Sequence, residues 1–240
     1  MDWFSYLTSG IGVYIGLAVF TGGMAWRVWE WSRTPKSPVR LGMFPKPKTA
    51  LGRFGKLLKD TFVAPQSFES AATLMAFAMA FHLAALGAFV GHLRLIHEFS
   101  PLVALLGVDG MNAFAGLTGG AAGIIMLVTV IYWIGRRTFG AYRKLSTPED
   151  YLLLALLLGI VIMGDHMRFV GTLHADTYRA WFQSLLAFSP SFPSELSSSV
   201  TRFALDWHML FVDAFLIYFP FSKLTHAVGA FATNLVRSSD

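Results

Sequence analysis

Residues 81–94 read FHLAALGAFVGHLR. Two histidines, His82 and His92, stand ten residues apart in a stretch otherwise made of Leu, Ala, Gly, Phe and Val. The surrounding apolar run covers about 70–93. A hydrocarbon core of about 30 Å is crossed by roughly 20 apolar residues in a helix. Lipid offers no hydrogen bonds, so such a segment must satisfy its own backbone, and a helix does so. Ionisable side chains are costly there and mark function or pairing. The reading therefore turns on what elsewhere in the chain meets these two imidazoles.

The rest of the chain repeats the pattern. Of 240 residues, 55% are hydrophobic and 14% charged, against about 25% charged in a soluble domain. Further apolar blocks lie at about 8–30, 111–134, 150–170 and 203–222. None alternates with the period of a barrel strand. The expected fold is all-α, a single membrane domain over 1–240 with five transmembrane helices. The first block does not read as a cleaved signal peptide: it opens Met1-Asp2, with no basic n-region, and basic residues follow it from Arg27 onward.

Charge placement orients the bundle. The first connection carries Arg27, Arg33, Lys36, Arg40, Lys46, Lys48, Arg53, Lys56 and Lys59. Arg136, Arg137, Arg143 and Lys144 follow the third segment, and Lys223 and Arg237 follow the fifth. The opposite side has Arg94, Arg168, Arg179 and Arg202. The excess of Lys and Arg predicts an outer N-terminus and a cytoplasmic C-terminus. Basic residues that flank helices form no nucleic-acid-binding face. With no cysteine in the chain, disulfides and cysteine-held iron–sulfur clusters are excluded from it.

The connections divide further. Within 31–69, RTPKSPVRLGMFPKPK is expected to be extended, with Pro35, Pro38, Pro45 and Pro47. TALGRFGKLLKDTFV mixes Leu51, Phe54, Leu57, Leu58 and Phe62 with basic residues, the spacing of an amphipathic helix at the inner surface. Its apolar face suits lipid, and its basic face suits a cytoplasmic subunit. In the other long connection, about 171–202, Trp181, Phe182 and Phe188 predict a half-buried helical turn at the outer interface.

Seven histidines occur: His82, His92, His97, His166, His174, His208 and His226. The second segment runs outward, so His82 is inner and His92 outer. The fifth runs inward, so His208 is outer and His226 inner. Topology therefore predicts two cross-pairs, His92 with His208 and His82 with His226. Two stacked imidazole pairs point to two b-type haems with bis-histidine ligation in a bundle core. Ala84, Ala85, Gly87, Ala88 and Gly91 leave room for a flat macrocycle. Ten residues of helix rise about 15 Å and eighteen about 27 Å, a mismatch for two straight helices. Pro220 is expected to kink or end the fifth helix before His226. His97, His166 and His174 lie near the outer surface and are not read as ligands.

These residues carry a family resemblance. VYIGLAVFTGG, FHLAALGAFVGHLR, GLTGGAAGIIML with a following GRR, WFQSLLAFSP and LDWHMLFVDAFLIYFPFSKLTHAVG cover nearly the whole chain. It resembles the gamma-type diheme cytochrome b subunits of respiratory nitrate reductase and their relatives in sulfite-reductase-linked complexes and membrane-bound heterodisulfide reductases. The resemblance implies haem ligation by His92 with His208 and by His82 with His226. It also implies electron exchange with a membrane quinone, menaquinone or ubiquinone, near the outer haem and with a cytoplasmic iron–sulfur subunit. It implies the cytoplasmic membrane of a bacterium or archaeon. At the start of the third segment, VDGMNAF has Met111 near the position of a quinol-binding lysine of the nitrate reductase branch. That departure, with LKDTFVAPQSFE and STPEDYLLLALLLGIVIMGDHMRF, favours the heterodisulfide-reductase-like branch over a nitrate reductase gamma subunit.

Other polar residues in or beside the apolar blocks complete the set. Asp213 is expected to orient a ligand imidazole or to move protons. Asp165 and Arg168, three apart, are placed to pair. Arg94, Arg168 and Arg202 are candidates for haem propionates or for snorkelling to the interface. Gly91, Asp109 and Asn112, beside His92, are the expected quinone contacts. A contrasting function is a proton-coupled carrier without haem, using the histidines and Asp213 as a relay. The absence of an inverted repeat counts against it.

Overall fold

Prolines, glycines and side-chain caps set the ends of long helices in this chain. The computed structural model describes residues 1–34, 47–63, 65–171, 173 and 175–238, and among these every regular element is helical. We number them α1 (Trp3–Ser32), α2 (Ala50–Phe62), α3 (Pro65–His92), α4 (Ser100–Phe139), α5 (Pro148–Phe169), α6 (Ala175–Leu186), α7 (Ser194–Ser198), α8 (Thr201–Tyr218) and α9 (His226–Ser238). Five of these, α1, α3, α4, α5 and α8, supply spans long and apolar enough to cross a membrane. The all-α fold with five spans is thus as expected.

Local chemistry explains the boundaries. Asp2 caps α1 by accepting from Ser5 N at 2.8 Å, and residues Leu7–Gly12 then widen into a π-helical segment. α4 extends well beyond the apolar block 111–134 at both ends. Pro101 occupies its first turn, and Gly140, in an extended conformation, ends it. It is interrupted at Gly107, with φ 71° and ψ 171°, a conformation only glycine adopts without strain. Thr147 and Asp150 form a capping box at the start of α5, with Pro148 in the first turn. α8 ends at Tyr218, and two 3₁₀ turns, Phe219–Phe221 and Lys223–Thr225, lead into α9. Pro220 therefore ends the fifth span, and the eighteen residues from His208 to His226 are not one straight rod.

Residue contacts divide the chain into two compact units. The first holds Met1–Ala18 and Phe77–Ile217. Its core gathers Val13, Trp181, Leu185, Leu196 and Leu205. Trp181 is buried where a half-buried position was expected, because its Nε1 donates to Ser9 O at 2.9 Å. Phe188 lies past the end of α6, exposed but stacked on Tyr14 at 5.5 Å.

The second unit holds Val19–Ala76 and Tyr218–Asp240. Here the amphipathic α2 packs on α9, with Asn234 Nδ2 donating to Thr61 Oγ1 at 3.2 Å. Thr49 caps α2, and Lys56 pairs with Asp60 at 2.7 Å. Arg27 Nε donates to Pro220 O at 2.9 Å. The helix expected in the first connection is thus present at Ala50–Phe62. Residues 35–46, most of the proline-rich stretch, lie outside the described residues.

The spans turn large apolar side chains outward. Leu83 is 62% exposed, Phe89 64% and Leu117 75%. Such surface is a liability in water and the right surface in lipid.

Candidate functional site

His92 closes α3, and His208 sits in the first half of α8. Their rings are parallel to within 2°, with centroids 6.5 Å apart. That is too far for the rings to touch. Two metal–nitrogen bonds of about 2 Å each, plus the ring radii, separate two axial imidazoles by about 6 Å. The spacing therefore suits two imidazoles facing one metal. Gly164 of α5 lies beside the His208 ring, where a Cβ would be in ordinary contact, 3.4 Å from His208 Cε1.

The hydrogen bonds define the donor chemistry. A carbonyl oxygen only accepts, so the ring nitrogen facing it carries the proton. His92 Nδ1 donates to Ala88 O at 2.6 Å, and His208 Nδ1 to Ile160 O at 2.9 Å. His82 Nδ1 donates to Ala78 O at 2.7 Å, and His226 Nδ1 to Lys223 O at 2.9 Å. All four expected ligands are thereby held in the tautomer whose lone pair is on Nε2, oriented by the second nitrogen as metal-bound histidines are. Among the described residues no three or more His, Asp or Glu cluster as a metal cage. Axial coordination by an imidazole pair is what His92 and His208 offer, and it fits haem. His82 belongs to the first unit and His226 to the second.

The other histidines differ. His97 Nδ1 donates to the carbonyl of neighbouring Glu98 at 2.7 Å. His166 Nδ1 is buried without a hydrogen-bond partner among the described residues. His174 lies outside them.

Asp213 stands apart from the ligands. Five residues along a helix turn about 140°, so Asp213 and His208 face different neighbours. The acceptor for His208 is the Ile160 carbonyl, which fills the orienting role expected of Asp213. Asp213 is buried against α1 instead. A Cβ at Gly12 would overlap its carboxyl group, and one at Gly16 would lie 3.3 Å from Oδ1. Oδ1 has no hydrogen-bond partner among the described residues. Two turns earlier, buried Asp206 accepts from Ser5 Oγ and Ser9 Oγ, both at 2.6 Å. Sequence reading passed over Asp206. Its signal was the seven-residue spacing to Asp213, which puts both carboxyls on one helix face.

At the end of α3 an ionic network forms. Arg94 meets Glu98 with two bonds, Nε to Oε1 at 2.7 Å and Nη2 to Oε2 at 2.9 Å. Arg94 Nη2 also donates to Asn112 Oδ1 at 3.1 Å. Arg179 donates to the Arg94 carbonyl at 2.7 Å and to Glu98 at 2.5 Å. The Arg94 guanidinium, with those further bonds, holds the Glu98 carboxyl down at about 2. Arg94 is therefore committed to this network, and Arg202 pairs with Asp2 at 3.0 Å. The expected Asp165–Arg168 ion pair is not formed among the described residues: Asp165 lies against Gly123, and Arg168 against Gly119. An open cleft of about 490 Å³ is lined by Asn112, Gly116, Met167, Arg168 and neighbours. Of the expected quinone contacts, Asn112 lines it, while Gly91 and Asp109 lie exposed elsewhere. Met111 is buried.

Comparison with known proteins adds a family. The family model described as nitrate reductase gamma subunit matches residues 63–239. The Hdr-like menaquinol oxidoreductase cytochrome b-like subunit of Archaeoglobus fulgidus is 27% identical over 91% of this chain and 75% of its own length. The nitrate reductase gamma chain of Bacillus subtilis is 30% identical over 66% of this chain and 73% of its own. The respiratory nitrate reductase 1 gamma chain of Escherichia coli K12 is 28% identical over 61% and 67%.

Proposed function

Because the chain belongs to the nitrate reductase gamma subunit family, we propose that it is a diheme cytochrome b. It carries electrons between a membrane quinone and a cytoplasmic iron–sulfur subunit. The chain is a multi-pass protein of a prokaryotic cytoplasmic membrane. The alignment over nine-tenths of the chain with a menaquinol oxidoreductase subunit supports menaquinol as the quinone and the heterodisulfide-reductase-like branch.

The observation that carries the reading is the parallel His92–His208 pair. A haem held by two imidazoles supplies one-electron chemistry when bound. His92 and His208 hold one, near the outer side; His82 and His226 hold the other, near the inner side. Ala88, Ile160, Ala78 and Lys223 carbonyls fix the ring tautomers. The excess of Lys and Arg supports an outer N-terminus and α2 at the cytoplasmic face. Asn112 and Arg168 in the cleft present a hydrogen-bonding amide and a guanidinium to a quinone head group, with Asp109 three residues before Asn112. The basic residues of α2, Arg53, Lys56 and Lys59, and the cytoplasmic connections provide the surface for the iron–sulfur partner.

The test is reduction of the membrane-bound protein by a menaquinol analogue. The account expects b-type absorbance to appear in wild-type membranes and to be lost for the most part in His208→Ala. Haem-containing protein that no quinol reduces would overturn the quinone assignment.

A further inference from the structure

Helix α1 and helix α8 meet around a carboxyl group that the electron path above does not use. Asp213 is 5% exposed, in a segment that crosses the membrane. Gly12 and Gly16, one helical turn apart, form the slot that admits it. The slot adjoins the π-helical segment Leu7–Gly12, a departure from regular helix of the kind often found at functional sites. Oδ1 has no donor. By contrast, both oxygens of Asp206, on the same face of α8, accept from serines. A carboxylate kept for structure would have its oxygens satisfied in this way.

The surroundings of Asp213 are nearly free of charge. Residues 3–26 of α1 contain no Asp, Glu, His, Lys or Arg. Their phenols are Tyr6, which is exposed, and Tyr14, whose hydroxyl donates to Leu185 O at 2.7 Å. On α8 the other titratable groups are Arg202, which pairs with Asp2; Asp206 and His208, both already hydrogen-bonded; and Tyr218 at its end. Nothing charged within these elements compensates an ionised Asp213. An electron held nearby in a medium of low dielectric is resisted by a carboxylate and tolerated by a carboxylic acid.

We propose that Asp213 is a proton-exchanging site in the membrane interior, coupled to the electron state of the His92–His208 site. The inference rests on the cytochrome reading above. One electron, supplied by quinol, enters the site; one proton, drawn from the aqueous phase, forms the O–H bond on Asp213. When the electron leaves for the second site, that bond breaks and the proton returns to water. Asp213 lies about 7.5 Å along the helix from His208, and the Ile160 carbonyl keeps His208 from acting as its direct partner.

The experiment is a redox titration of the full-length haem-loaded protein in vesicles, at a series of pH values, with redox difference infrared spectra. In wild type, one midpoint potential falls with rising pH, by up to about 59 mV per unit for one proton per electron. A carboxylic-acid C=O band follows that couple and shifts in heavy water. Asp213→Asn removes both the slope and the band, whereas Asp165→Asn, at a carboxyl of the spanning helix α5, keeps them. Flat potentials in wild type, or an unchanged slope in Asp213→Asn, overturn the proposal. Should Asp213→Asn fail to accumulate, the wild-type slope and band decide alone. Wild-type protein that binds no haem overturns the cytochrome reading and this inference with it, a result distinct from a flat titration with haem present.

Discussion

The imidazoles of His92 and His208 lie parallel to within 2°, their centroids 6.5 Å apart, across two helices separated by more than a hundred residues of chain. Each is turned by a backbone carbonyl, from Ala88 and Ile160 respectively. Residues 82–92 raise the question of why lipid-facing helix should carry imidazoles, and this relationship answers half of it.

The proposed pairing of the four histidines predicts that their loss is non-additive. His92→Ala or His208→Ala should each remove one haem of two, and the double variant no more than one. His82→Ala or His226→Ala should remove the other. Haem content of purified protein checks this. A single variant that keeps both haems contradicts the pairing.

The network around Glu98 predicts acid sensitivity. The folded carboxyl is held at about 2 by Arg94 and Arg179, whereas an unfolded Glu titrates near 4.3. A depressed folded value stabilises the native state above the unfolded value, and that contribution is lost as pH falls from about 4.5 to 2. Glu98→Gln should flatten the fall in thermal stability over that window. It should also lower stability at neutral pH by about 1–3 kcal/mol, since the Arg94 and Arg179 guanidiniums lose their charged acceptor. Thermal melts in detergent across pH 2–6 test the sign.

The slot for Asp213 predicts a steric asymmetry among glycines of one helix. A Cβ at Gly12 overlaps the Asp213 carboxyl, whereas one at Gly22 meets nothing within 4 Å. Gly12→Ala should destabilise by about 1–3 kcal/mol through overpacking. Gly22→Ala should be neutral or stabilising by up to about 1 kcal/mol, as alanine favours helix. Equal effects in denaturation experiments would contradict the packing of α8 on α1.

Ser5 and Ser9 are the hydroxyl donors to Asp206. Removing one should leave a buried oxygen unsatisfied, at about 1–3 kcal/mol each. The double variant Ser5→Ala/Ser9→Ala should cost clearly more than either alone, and adding Asp206→Leu should recover part of the loss. No recovery in the triple variant would show that the serines act by packing alone.

Much of this was legible in the chain. Five apolar blocks foretold five spans, because only helix satisfies backbone in lipid. Pro220 foretold the end of the fifth. Leu51, Phe54, Leu57 and Leu58 foretold α2 by their spacing. What stayed hidden depends on contacts distant in sequence. Its place at a helix end makes Arg94 a candidate for haem propionates, but Glu98 one turn on and Arg179, far along the chain, take part in its network. Asp206 was overlooked because its meaning lies in two serines about two hundred residues away. Asp213 was expected beside an imidazole; the 140° turn between it and His208 sends it to Gly12 and Gly16 instead.

The most direct measurement is a pyridine haemochrome assay on purified protein, produced with haem supplied, beside its four histidine-to-alanine variants. The account predicts about two b haems per chain, falling to one in each single variant. Wild-type protein without haem, or with both haems retained after loss of His92 or His208, would contradict it.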